Sequence, residues 1–206
     1  MTNYIVSGLE RSGTSLLMQI LEKGGVTIVY DDSRKPDEHN PNGYFELENG
    51  KIIDKLIKQE FDFKGIQNKF IKITSYGLGY LPFGDYKIIY IQRDIDEIID
   101  STQRMSEKKF NRKKLKNTLT KLDKSTIEEM EGRVDINYVV VNYNEIISDY
   151  YKQAAIIKDL IPEFDIDKGK EAIEISLYRN RRSKVNKLSK DEEDLIRERL
   201  IQLGYL

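Results

Sequence analysis

Tyr4-Ile5-Val6-Ser7-Gly8-Leu9-Glu10-Arg11-Ser12-Gly13-Thr14-Ser15-Leu16-Leu17-Met18-Gln19-Ile20-Leu21 runs from a short apolar stretch through a loop bounded by glycines into a helical pattern. The order is strand, glycine loop, helix. A loop of this kind turns successive backbone N–H groups inward, and the helix N-terminus adds its partial positive charge, so the stretch predicts a cradle for an anion, most often a phosphate. Its spacing, G-x-x-x-x-G-T-S, is that of a Walker A loop with Thr14 where the lysine should stand. In nucleotide hydrolases and most small-molecule kinases that lysine follows the β- and γ-phosphates. Its absence argues against ordinary ATP or GTP chemistry and leaves the cradle intact. Arg11 and Ser12 supply a charge and a hydroxyl in its place. A plain tight turn between strand and helix is the alternative reading of such a loop taken alone.

Working outward, 206 residues suit a single α/β domain spanning 1–206. With 34 basic and 35 acidic residues the formal charge is −1, which disfavours a general nucleic-acid or anionic-membrane binder and makes any anion site local. The chain has no cysteine and one histidine, His39, which excludes disulfides, thiolate catalysis and a multi-histidine metal site. The first strand follows Met1 so closely that no signal peptide is expected, and no stretch approaches eighteen apolar residues, so the expectation is a soluble, cytoplasmic protein.

After a helix over 14–23 closed by Gly24-Gly25, Val26 to Tyr30 reads as a second strand. Residues 31–43, with two prolines and a Pro-Asn-Gly turn, read as a surface loop, either a substrate-facing flap or a solvated connection. Tyr44 and Phe45 are expected core anchors ahead of an amphipathic helix to about Gln59. Lys69–Ile73 predicts a strand and Ser75–Pro82 a glycine-broken segment. Asp85–Ile91 predicts a strand buried on both faces that ends at Arg93-Asp94. A helix from Asp94 through Met105 follows, then a lysine-dense helical face to about residue 124, read as solvated or facing a polyanionic partner. Asp135–Val141 predicts the next strand, Asn142 starts a helical pattern that runs to Pro162, and Asp167–Ile175 is a short helix. Ser189-Lys190-Asp191-Glu192 has the spacing of a capping box. Alternating strands and helices predict a mostly parallel sheet with helices on both faces, and the two anion segments fall at C-terminal strand ends, where such sheets bind ligands.

Two of these segments carry a resemblance. Gly8-x-x-Arg11-Ser12-Gly13-Thr14-Ser15 after a first strand resembles the 5′-phosphosulfate loop of the sulfotransferase superfamily. Tyr90 to Ser101 resembles its 3′-phosphate motif, in which a strand ends in Arg-Asp or Arg-Asn and a serine follows eight positions later. Asn40-Pro41-x-Gly43-Tyr44-x-Glu46 and Leu177-Tyr178-Arg179-Asn180-Arg181 are similar to stretches of a compact bacterial branch of that superfamily. The resemblance implies a three-layer α/β/α, P-loop NTPase-like sulfotransferase fold. It implies 3′-phosphoadenosine 5′-phosphosulfate (PAPS) as donor, with 3′-phosphoadenosine 5′-phosphate (PAP) as product and a hydroxyl or amine as acceptor. Arg11, Ser12, Gly13, Thr14 and Ser15 are then expected on the 5′-phosphosulfate. Arg93 and Ser101 are expected on the 3′-phosphate, with Arg179 and Arg181 in a basic segment near it. Fixed donors suffice for this chemistry and no metal is expected.

Cytosolic members of the superfamily place a histidine after a Lys-Thr pair that follows the third strand. Here the chain has Lys72-Ile73-Thr74-Ser75 instead. Lys72 is expected to serve the bridging oxygen. The general base is expected at Glu46, at a helix start where the dipole keeps it ionised, with Glu48 and His39 as alternatives. Two other classes stay open: a P-loop nucleotide or small-molecule kinase using Arg11 as its cation with Mg²⁺, and a catalytically silent nucleotide-binding protein.

Overall fold

The computed structural model describes residues 2–31, 33–106, 110–178 and 189–205. Among them, β1 (Asn3–Gly8), β2 (Phe70–Lys72), β3 (Tyr86–Gln92) and β4 (Ile136–Asn142) form an all-parallel sheet in the order β2-β1-β3-β4. Val6 lies opposite Lys72 on one side and Ile89 on the other, and Gly8 lies opposite Ile91. Side chains alternate across the pleat, and both alternating sets are apolar, so the sheet must be covered twice.

One set, Val6, Phe70, Ile89, Ile91 and Val141, packs under α1 (Thr14–Lys23), α6 (Tyr143–Ser148), α7 (Tyr150–Leu160) and α8 (Ile166–Lys170). The other, Ile5, Ile71, Ile88 and Tyr90, packs under α2 (Ile52–Ile57), α3 (Ser75–Leu78) and α5 (Arg112–Gly132). Leu17, Leu21 and Ala154 carry the first layer, Leu56, Leu78 and Met130 the second. Each fully buried Leu or Ile contributes about 1.5–3 kcal/mol. Between β3 and β4 the chain also passes through α4 (Ile95–Met105), and α9 (Lys190–Gln202) closes the described chain against α7.

Connectivity fixes where a ligand can go. From β1 the chain runs through α1 to the far edge, where Ile28 bridges Phe70. It returns through β2 and crosses β1 to reach β3. The winding direction therefore reverses between β1 and β3, which leaves a crevice at their C-terminal ends. Gly8 and Gln92 end those two strands.

Several expectations change. Val26–Tyr30 is not a strand: only the Ile28 bridge forms, with Phe70 N–H donating to the Thr27 carbonyl and Val29 N–H to that of Phe70. The strand it bridges to, β2, is three residues long and too short to template a longer edge. The helix expected to Gln59 ends at Ile57, and Gln59 takes a left-handed φ of 57°. The segment expected to be glycine-broken forms the short α3. The helical run from Asn142 breaks at Asp149, whose φ of −141° separates α6 from α7, and the short helix expected to Ile175 ends at Lys170. The capping box at Ser189 and Glu192 forms as read. Among the described residues no helix is long and apolar enough to cross a membrane.

Candidate functional site

The loop between β1 and α1 is shaped by its two glycines. Gly8 has a φ of 151°, and a Cβ there would stand 2.5 Å from the Ile91 carbonyl oxygen of β3. At Gly13, φ is 109° and a Cβ would meet the Tyr143 ring at 2.3 Å. No larger residue fits either place. The Ser12 N–H donates back to the Leu9 carbonyl at 3.0 Å, and α1 then starts at Thr14 with no acidic residue in its first turn. Helix geometry leaves the first N–H groups of α1 without intrahelical acceptors, so they point out of the helix end. Arg11 adopts a left-handed φ of 67°, a conformation that a non-glycine residue adopts only where its surroundings hold it. Burial pulls its pKa below the usual arginine value, with Arg93 and Arg34 adding to that effect against Tyr44 and Asp37.

Three contacts hold Arg11. Its Nε donates to Ser101 Oγ at 3.0 Å, its Nη2 donates to the His39 carbonyl at 3.3 Å, and its own carbonyl accepts from Arg93 Nη1 at 3.3 Å. Arg93, just past β3, is itself fixed. Its Nε donates to Glu97 Oε2 at 3.0 Å, and its guanidinium lies 4.2 Å from the centre of the Tyr143 ring. Glu97 is fully buried and accepts further hydrogen bonds from the Tyr178 hydroxyl and from Asn144 Nδ2. A buried ion pair needs such saturation, because desolvating two charges otherwise outweighs their attraction.

The opposite wall belongs to residues 34–46 and to the end of β2. Asp37 turns this segment by accepting from the His39 and Asn40 N–H groups, and the Tyr44 hydroxyl donates to both of its oxygens. The Tyr44 hydroxyl thereby holds the Asp37 carboxyl below its usual range. Asn40 Nδ2 donates to Ser15 Oγ at 3.1 Å, and Ser15 Oγ donates to the Tyr44 carbonyl at 3.2 Å, which tie the flap to α1. The same carbonyl accepts from Lys72 Nζ. Glu46 Oε1 accepts from Arg34 Nη1 at 2.9 Å and lies 3.8 Å from Lys72 Nζ, while Arg34 stacks on the Tyr44 ring at 3.4 Å. Burial lowers the Lys72 pKa to about 8, with Glu46 opposing and Arg34 and Arg11 reinforcing.

These walls enclose a cavity of about 440 Å³. Arg11, Gly13, Thr14, Ser15, Glu46, Lys72, Arg93 and Ser101, distant in sequence, all line it. Ser12 does not. Its side chain is fully buried inside the loop, and its Oγ has no hydrogen-bond partner among the described residues. Of the two alternative bases, His39 lines the cavity, whereas Glu48 pairs with Lys55 outside it. Glu46 is not at a helix start. It lies outside helix and strand, two residues before the 3₁₀ turn Glu48–Gly50, and its charge partners are Arg34 and Lys72. Arg179 and Arg181 lie outside the described residues.

Sequence reasoning missed Arg34, Asn40 as a tie to α1, Tyr143, Asn144 and Glu97. Only Glu97 had a signal, its i,i+4 spacing from Arg93. No protein-family model and no curated protein sequence matches the chain.

Proposed function

We propose that the protein is a sulfotransferase that uses PAPS and a hydroxyl- or amine-bearing acceptor, on a P-loop NTPase-like three-layer fold. One observation carries the reading: the loop at 8–15 and the strand-end motif at 93–101 meet in one cavity, joined by the 3.0 Å hydrogen bond from Arg11 to Ser101. The donor set suits a nucleotide with two separate anionic groups. Gly8 and Gly13 let the loop close against β3 and the Tyr143 ring, the first turn of α1 offers N–H groups without intrahelical acceptors, and Arg11, Lys72 and Arg93 line the cavity beside them. Such a donor carries its sulfuryl group on the 5′-phosphate through an S–O–P bridge, and transfer breaks that S–O bond, forms an S–O bond to a hydroxyl acceptor or an S–N bond to an amine, and leaves PAP.

The chain's own parts then divide as follows. The amides at the start of α1, with Arg11, hold the 5′ anion, and Arg93, pre-oriented by Glu97 and Tyr143, faces the 3′-phosphate with Ser101 beside it. Lys72 brings a positive charge to the oxygen that leaves, where preorganised charge has its largest effect in a water-poor site. Glu46, next to Lys72, takes the acceptor's proton.

A thermal-shift comparison of PAP, AMP and ATP, with and without Mg²⁺, tests this. PAP at a hundred times its dissociation constant should add about 2.7 kcal/mol, or about 5–10 °C for a chain of this size, without Mg²⁺, and AMP far less. Equal shifts with AMP, or a strict need for ATP and Mg²⁺, would replace the reading with a kinase-like one.

A further inference from the structure

As a sequence pattern, the strand-end motif reads as a phosphate site in its own right, with the arginine after β3 and the serine on α4 gripping one anion between them. Ser101 sits in the seventh position of α4, about 9 Å along its axis from Ile95. Arg11 links the two, its carbonyl accepting from Arg93 and its Nε donating to Ser101. Ser101 is 4% exposed and its Oγ accepts from Arg11 Nε, so its hydroxyl is turned toward the loop arginine. From the same motif, Arg93 Nη1 grips the Arg11 carbonyl, at the residue whose left-handed backbone needs holding.

The geometry points to Ser101 as a positioning residue for Arg11: its hydroxyl orients the loop arginine, so that the motif at 93–101 acts on the anion cradle of β1 and α1 and not only on a second phosphate. The alternative is a direct role on the 3′-phosphate: a serine oxygen that accepts from Arg11 Nε still has its own O–H to donate, and such a contact would add a loss specific to PAP. Without the Ser101 hydroxyl, Arg11 would keep one side-chain hydrogen bond among the described residues, to the His39 carbonyl. With Ser101 in place, Arg11 is held from both sides of the cavity, by α4 and by the flap, at the cradle's mouth. The inference rests on the sulfotransferase reading for the identity of the nucleotide, but the pairing itself can be read with an anion that has no nucleoside.

Calorimetric titration of inorganic pyrophosphate, AMP and PAP into wild type, Ser101→Ala, Ser101→Thr, Arg11→Ala and the Ser101→Ala/Arg11→Ala double variant separates the possibilities. Ser101→Ala should weaken all three ligands by the same factor, about 3- to 10-fold, because it loosens a shared arginine. Arg11→Ala should weaken them about 10- to 100-fold, and the double variant should be no weaker than Arg11→Ala, the signature of two residues acting as one unit. Ser101→Thr keeps the hydroxyl and should bind near wild type. Ser101→Ala weakening PAP alone, additive losses in the double variant, or no pyrophosphate binding by wild type would each overturn the assignment. If wild type binds pyrophosphate but does not favour PAP over AMP, the sulfotransferase reading fails while the pyrophosphate cycle still decides the role of Ser101.

Discussion

Lys72→Met is expected to make the protein more stable at neutral pH and to lower turnover by about 10²–10³, the loss typical of removing one preorganised charge from a transition state. The Lys72 side chain is only 7% exposed, and burial is the main cause that brings its pKa from 10.5 down to about 8. The sign of the pH dependence follows. Below about pH 8 both the folded and unfolded chains carry the proton, and the net penalty of holding that charge in place, burial partly offset by Glu46, stands at on the order of 3 kcal/mol. From about pH 8 to 10.5 the unfolded chain keeps a proton that the folded one has lost, so Lys72 makes stability rise with pH across that window. Methionine has no such charge and fills similar volume, and the Tyr44 carbonyl keeps its hydrogen bond from Ser15. The variant's advantage should therefore be largest near pH 7 and shrink toward pH 10. Buried Tyr86, Tyr90 and Tyr150, whose pKa values burial raises, titrate alike in both proteins and cancel in the difference. Thermal denaturation of both from pH 7 to 10 makes the comparison. A variant less stable than wild type at pH 7, by a margin that does not change with pH, would mean that Lys72 serves the fold through its contacts.

A buried cation that lowers stability fits a residue kept for what it does. Arg11, with its left-handed backbone, fits the same pattern. Both were legible in the sequence, because the signals that mark them are local: a glycine loop after an apolar run, and a lysine at the end of a short strand. A mostly parallel sheet was legible for the same reason, since the strands read as apolar runs that a doubly covered sheet buries; the four strands pair all in parallel.

What the sequence did not reveal is set by contacts between distant residues. The direction of Ser101 depends on a residue 90 positions away, and Glu46 takes its partners from Arg34 and Lys72. Val26–Tyr30 has the composition of a strand, but composition does not reveal that its neighbour would be three residues long. Asp149 breaks a helix whose apolar spacing continues across it, because each side packs its own buried tyrosines, Tyr143 before the break and Tyr150 and Tyr151 after it. Glu97 reads in the sequence as one acid in a polar helix. Its burial becomes visible only when Arg93, Asn144 and Tyr178 converge on it.

Glu46→Gln is expected to lower turnover by about 10²–10⁴ while PAP affinity stays near wild type, because the proton of the acceptor then has no carboxylate to go to. The side chain is well placed to receive that proton. Its Oε1 lies in the cavity wall between Arg34 and Lys72, and 22% of the side chain remains exposed for an acceptor to reach. The amide keeps the shape and can still accept from Arg34, so the change isolates the charge. One confounding route must be separated. Glu46 is the group that most opposes the lowering of the Lys72 pKa, and its loss should push that pKa further below about 8, leaving less of the lysine charged at neutral pH. Lowering the pH distinguishes the two. If Glu46 works only by keeping Lys72 protonated, acid restores the lysine's charge and turnover of Glu46→Gln should recover toward wild type near pH 6. If Glu46 is the base, the deficit should persist from pH 6 to 8. His39→Ala supplies the remaining control, because His39 also lines the cavity and an imidazole is a common general base. Full activity in Glu46→Gln together with loss in His39→Ala would move the proton to the histidine, and full activity in both would mean that the acceptor needs no base from this protein.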